Sequence, residues 1–162
     1  AAKTVFEQLI EESRKLKDAN NDHERNARGE LLWIYEREND WAKAAEVGRM
    51  TVEDMKNQMP ETSVGFGRLL AGLSIYLLRD GKREEAERHF ERAYRIFQNN
   101  RREAKASPDF FLHVGEYLLL VNRRAEALPI LEETCELYKT NYPPNYRARI
   151  RAEKLLERAR AE

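Results

Sequence analysis

The feature that most limits what this chain can become is a small residue returning in near-constant register. Ala2, Ala44, Ala86 and Ala127 each open an amphipathic stretch, and they stand 42, 42 and 41 positions apart. A recurrence of that length marks stacked supersecondary units, each too small to bury its apolar face alone. The clearest copy is 81–97, GKREEAERHFERAYRIF. There Ala86, Phe90, Ala93, Tyr94 and Phe97 fall at i, i+4, i+7, i+8 and i+11, one stripe of an α-helix. Glu87, Arg88, Glu91, Arg92 and Arg95 make the opposite, charged face. Small Ala86 and Ala93 beside large Phe90 let a neighbouring helix approach closely. Gly81, after Leu77-Leu78-Arg79-Asp80, supplies the left-handed residue that ends one helix before the next begins.

The same reading extends over the chain. A first helix is expected at 3–18, as the second half of a repeat whose first half is missing, followed by a turn at 18–23. A second, 23–38, packs through Ala27, Leu31, Leu32 and Tyr35. Asp40 is placed to cap a third, 41–58, which packs through Trp41, Ala44, Val47, Gly48, Thr51 and Met55 until 60–63 breaks it. A fourth, 64–79, buries Leu69, Leu70, Leu73, Tyr76 and Leu77; a fifth covers 83–100, and 99–106 is a polar connector. Ser107-Pro108-Asp109 is a helix start, with Ser as N-cap, Pro in the first turn and an acid at the positive end. The sixth helix runs to Val121 and the seventh over 124–140. The eighth, 145–161, packs through Ala152, Leu155, Leu156 and Ala159 and caps the stack. No window alternates as a strand would. The expectation is an all-α solenoid of antiparallel helix pairs with seven to eight helices. It forms one domain, 1–162: a half repeat at 1–20, repeats at 23–60, 63–102 and 107–141, and a capping helix at 144–162.

Charge narrows the function classes. Lys and Arg number 29, as do Asp and Glu, and the pI is near 7.1, which argues against a dedicated nucleic-acid or anionic-membrane surface. The locally basic stretch 147–160 reads as the solvated face of a terminal helix. The single cysteine, Cys135, permits no intrachain disulfide and reads as a buried structural thiol in a cytoplasmic protein. No signal peptide is read, and no apolar run approaches the roughly 20 residues that span a bilayer. The chain opens on Ala1-Ala2 inside a helical pattern without a cap, so a larger parent protein is expected.

Chemistry finds no convergent set. His23, His89 and His113 stand alone, without the spacing a metal needs. Gly65-Phe66-Gly67 hints at a phosphate loop but lacks the preceding strand and the following Gly or Lys. Asp18, Asn20 and Asp22 imitate the start of a calcium loop, but His23 stands where a Gly is required and Gly29 where the closing acid belongs. We expect no enzyme, cofactor or metal.

Three pieces carry a family resemblance: Leu31-Leu32, Tyr35, Asn39-Asp40-Trp41 and Ala44; Leu70, Leu73, Leu77, Gly81, Ala86, Phe90 and Ala93; Phe111, Val114-Gly115, Leu118, Ala127 and Leu131. They resemble the tetratricopeptide repeat (TPR) family. The period near 42, with Ser107-Pro108-Asp109 opening a repeat, is similar to the kinesin-light-chain type. Gly48 stands where Phe90 and Leu131 stand, which predicts looser packing in the first repeat. Thr51 and Thr134 replace Ala93, and Arg83 and Arg124 replace Trp41.

The resemblance implies a right-handed superhelix and a protein or peptide partner in a concave groove lined by the first helix of each pair. The groove residues it implies are Asn26, Glu30, Trp33 and Arg37; Arg68, Ala71, Gly72, Ile75 and Arg79; Asp109, Leu112, His113, Glu116 and Leu120. Trp33 lies off the Leu31–Tyr35 stripe, so it is a candidate anchor with Ile75 and Leu112, and Arg68 and Arg79 suit an acidic group. The clamp by which some relatives hold a chaperone's C-terminal carboxylate is absent: its places hold Gly29, Trp33, Gly72, Asp109 and His113. A ligand- or peptide-sensing regulatory domain of a larger signalling or transcription-regulating protein is the alternative function. Homo-oligomers through the terminal helices are compatible with the pattern.

Overall fold

The computed structural model describes residues 2–15 and 22–161. The expected turn after the first helix, with Asp18 and Asn20 of the calcium-like stretch, lies outside the described residues, as do the side chains of Ala2, Leu9, Asp22 and His23. Nine helices follow in order among the described residues: α1 Ala2–Lys15, α2 Asp22–Glu38, α3 Trp41–Met55, α4 Val64–Arg79, α5 Arg83–Asn99, α6 Arg101–Ala104, α7 Pro108–Leu120, α8 Arg124–Asn141 and α9 Arg147–Ala161. Helices α1 to α5 each pack on the next, α7 on α8 and α8 on α9. One repeat apart, α4 packs on α7 and α7 on α9. This nearest-neighbour ladder is an α-solenoid.

The turns explain the constant register. Asn39, Gly81 and Asn122 all have left-handed backbones, with φ of 56°, 78° and 64°. At each, two backbone hydrogen bonds close the helix end in the same way. Asn39, Gly81 and Asn122 donate to Glu36, Leu78 and Leu119 at 3.2, 3.2 and 3.1 Å, while the next residues donate to Tyr35, Leu77 and Leu118 at 2.9, 2.9 and 2.8 Å. That is the Schellman arrangement, repeated three times. Asp40 then caps α3 by accepting from the Lys43 N–H at 3.3 Å, as expected. Ser63 does the same for α4, accepting from Phe66 at 3.2 Å, so Gly65-Phe66-Gly67 is the first turn of a helix and not a loop.

Two local expectations change. Ser107 stands at the cap position of α7 with Pro108 following, but its side chain makes no capping hydrogen bond. Its own carbonyl takes the Phe110 N–H at 2.8 Å instead. The connector at 99–106 contains the short α6, because Ala104 is drawn fully into the core.

The core runs along α4, α5 and α7. Ala86, Phe90, Ala93 and Phe97 are buried as one stripe. Phe90 stacks on Tyr117 at 3.8 Å between ring centroids, and Phe97 meets Phe110 and Phe111 edge-on at 5.3 and 4.8 Å. The looseness expected around Gly48 is not found. A Cβ there would stand 3.0 Å from Leu73 Cδ1 and 3.6 Å from the Tyr76 ring, so the neighbouring helix has moved into the space a larger residue would take. Thr51 and Thr134 satisfy their hydroxyls on the carbonyls of Val47 and Ile130, at 2.9 and 2.7 Å. Cys135 is buried, and burial pushes its thiol up.

Candidate functional site

The first helices of the pairs, α2, α4 and α7, together with α9, line a common hollow. Its middle is a cleft of about 340 Å³. Gly29, Leu32, Trp33 and Glu36 line it from α2, Tyr76 from α4, Asp109, Leu112 and His113 from α7, and Arg147, Ala148 and Arg151 from α9. A second cleft, of about 450 Å³, continues along α9 and shares Arg147 and Arg151 with the first.

An ion-pair network forms the wall between them. Arg151 donates through Nη1 to Glu36 at 2.8 Å and through Nη2 to Glu116 at 2.9 Å. Arg79 donates to the same Glu116 Oε1 at 3.1 Å and lies with its guanidinium 4.8 Å from the Trp41 ring centroid. Tyr76 donates its hydroxyl to Glu36 at 2.7 Å. Glu116 is 1% exposed. Burial alone would push its carboxyl up, but Arg151, with His113 and Arg79, outweighs burial and holds it below the usual carboxylate range. Burial works against the Arg151 charge as well, yet Glu116 and Glu36 raise its pKa. Tyr76 is raised well above a normal phenol by burial and by Glu36. These groups are held charged, or neutral, by one another, which is how a polar cluster is tolerated where four helices meet.

His113 lies beside this network. Burial lowers its pKa, with the charge of Asp109 opposing, so the imidazole is neutral at pH 7. Its Nδ1 has no hydrogen-bond partner among the described residues. Gly72 makes room for the ring: a Cβ there would stand 3.3 Å from His113 Cε1.

The expected partner-contacting residues separate into groups. Trp33, Asp109, Leu112 and His113 meet in the first cleft, and Arg79 and Glu116 in the second. Asn26, Glu30, Arg37 and Arg68 line neither, and Ile75 is 1% exposed, enclosed in the stack rather than offered as an anchor. Leu112, 2% exposed, forms floor, not anchor. Asp109 accepts from the Tyr138 hydroxyl and is thereby engaged within the fold. Trp33 remains as the exposed aromatic, at 37%. The guanidinium groups of Arg37 and Arg147 stand 4.9 and 4.7 Å from its ring centroid. Each such contact is worth about 0.5–1 kcal/mol at an exposed site, enough to orient the indole.

The sequence reading missed Glu36, Tyr76 and the cations of α9. A signal for the last was present. Arg147, Arg151, Lys154 and Arg158 fall at i, i+4, i+7 and i+11, one helical stripe, and that stripe lines the open cleft along α9.

No protein-family model matches the sequence, and no curated protein does. Among solved structures, two crystal structures of a protein of Podosopora anserina, assigned as a kinesin light chain with nearly identical TPR-like repeats, are similar. A variant form of that protein superposes with a TM-score of 0.60 and the other form with 0.58. Each is 16% identical, and each match covers 98% of this chain and 76% of that one. The chain therefore has a TPR-like α-solenoid fold. Among the described residues no helix is long and apolar enough to cross a membrane.

Proposed function

We propose that this protein is a non-enzymatic interaction module that holds a segment of a partner protein in the hollow lined by α2, α4, α7 and α9. TPR-like solenoids commonly serve as scaffolds, because stacking builds extended inner surfaces without closing them. The observation that carries the reading is Trp33, an exposed aromatic side chain lining the 340 Å³ cleft and set between two arginines. Aromatic and Arg side chains at the centre of a concavity dominate binding energies. The carboxylates around the hollow support binding over catalysis. Glu116, Glu36 and Asp109 are engaged with Arg151, Arg79, Tyr76 and Tyr138, so none is poised as a free acid or base. A cytoplasmic setting suits the one buried, unpaired cysteine.

The test is affinity capture from the source cell with the intact chain and with Trp33→Ala, at matched helicity by circular dichroism. Loss of a specific captured protein in the variant supports the reading. The same proteins retained at the same yield by both forms would remove Trp33, and with it the reading, from consideration.

A further inference from the structure

The inner stripe of α9 concentrates positive charge in a chain that has no surplus of it. Arg147, Arg151, Lys154 and Arg158, with Arg79 from the end of α4, line the 450 Å³ cleft, and Ile150 and Leu155 add apolar surface. Glu116, the carboxylate that lines it with them, is already shared by Arg79 and Arg151. Among the described residues, Arg147 is committed only to the face of Trp33. Lys154 and Arg158 are exposed and have no ion-pair partner among the described residues; Glu157, beside Arg158 in sequence, pairs with neither. Like charges three and four positions apart on a helix repel by some tenths of a kcal/mol per pair. The overall charge of zero makes this stripe a local concentration, not a sample of a basic surface.

From this placement we infer that the cleft along α9 binds a phosphorylated side chain on the partner segment, an inference that rests on a partner occupying the inner hollow. Two unmatched cations, Lys154 and Arg158, stand one turn apart, and Arg147 lies about 10 Å further along the helix axis from Lys154. A carboxylate brings one charge and two oxygens and would match one of that pair. A phosphate monoester brings about −1.5 to −2 charges and three acceptor oxygens at pH 7. Guanidinium forks donate pairs of parallel N–H bonds that fit those oxygens, and the lysine adds a point charge. Ile150, 38% exposed, gives an adjoining apolar side chain of the segment a surface to cover. A nucleic-acid backbone is disfavoured, because it needs a basic track longer than a single helix stripe.

The experiment uses the intact chain and fluorescence polarisation against degenerate peptides centred on phosphoserine, phosphothreonine or phosphotyrosine. The same peptides unmodified, or with Glu at the centre, are compared, along with a short DNA duplex. The expected result is that one phosphorylated set binds at least about tenfold tighter than its Glu counterpart, the difference a second charge and third acceptor supply. Lys154→Gln with Arg158→Gln should erase that preference while circular dichroism shows α9 intact, and the convex-face change Arg95→Gln should leave it in place. Equal binding of Glu-centred peptides, or of the duplex, overturns phosphate recognition. If no phosphorylated set binds while a Trp33-dependent partner is still captured, the phosphate site falls and the interaction reading stands. If neither is seen, both fall.

Discussion

Arg151 and Glu36 are 115 positions apart in the chain, and their side chains meet at 2.8 Å. The contact joins α9 to α2 across the hollow, and the same guanidinium holds the buried carboxylate of Glu116. A solenoid's contacts otherwise run between neighbouring repeats. Replacing Arg151 by Met removes both bonds and leaves Glu116 with Arg79 alone. Removing one partner of a fully buried pair costs about 3–5 kcal/mol, and Arg151 is partly solvated, so a loss of about 1–3 kcal/mol in urea unfolding is expected. Adding Glu116→Gln should restore a good part of it. A midpoint unmoved by Arg151→Met would mean that the bridge is an ordinary surface pair.

Within the hollow, two lowered pKa values, those of His113 and Glu116, shape the pH dependence. His113 is disfavoured as imidazolium in the fold, so the unfolded chain binds the extra proton more readily. Its contribution is complete above the unfolded value of about 6.5 and is lost as pH falls through the folded one. Asp109, Glu116, Arg151 and Arg68 are the charged groups acting on it. Glu116 follows the same sign at lower pH, with its contribution complete above about 4.3 and lost as the carboxylate is protonated. Stability measured from pH 7 to 5 should decline, and His113→Gln should reduce that slope, to which His89, lowered by burial, also contributes, while leaving the later acid limb in place.

Two glycines give opposite outcomes to the same substitution. A Cβ on Gly67 would stand 2.7 Å from Phe110 and 2.8 Å from Ile96, inside the contact of α4 with its neighbours. Gly67→Ala should cost about 1–3 kcal/mol despite the better helix propensity of alanine. Gly29, in the middle of α2, has nothing within 4 Å, so Gly29→Ala should gain about 0.5–1 kcal/mol. Thermal melts of the two variants should move in opposite directions.

Asn122 tests the shared turn. Its φ of 64° is one that a residue with a Cβ holds at a cost of about 1–2 kcal/mol, which Asn partly offsets. Asn122→Gly should be neutral or stabilising, and Asn122→Val should lower the unfolding midpoint clearly. The same pair of changes at Asn39 should give the same order.

Ala86 tests the register of the repeat. It is fully buried on the stripe of α5, so Ala86→Arg places an unpaired charge in a helix contact and should unfold much of the stack. A melting curve like that of the parent would mean that the stripe is misassigned.

The helices were legible because the information for them is local. The stripe of α5, the cap at Asp40 and the left-handed Gly81 each lie within one turn of the residues they organise. Asn39 and Asn122 carry the same backbone signal more faintly, since Asn also serves in ordinary turns. The looseness expected at Gly48 failed because it was read from one helix, while the space there is filled by Leu73 from the next. The hollow was legible only in part. Trp33 could be found because it breaks the stripe of its own helix, whereas Ile75 could not be dismissed without knowing how closely its neighbours approach. Glu36 and Arg151 find each other through the accumulated curvature of the whole stack, which is not encoded within any one repeat.

That last contact also measures the array. Adding or removing one repeat of about 42 residues between α2 and α9 would preserve the local joints, because the turns inside the three helix pairs, at Asn39, Gly81 and Asn122, close in the same way. It would carry Arg151 past Glu36 by a full step of the spiral. A tandem-repeat protein usually tolerates changes in its number of units; here the join between α2 and α9 fits one count, and the chamber behind it has one size.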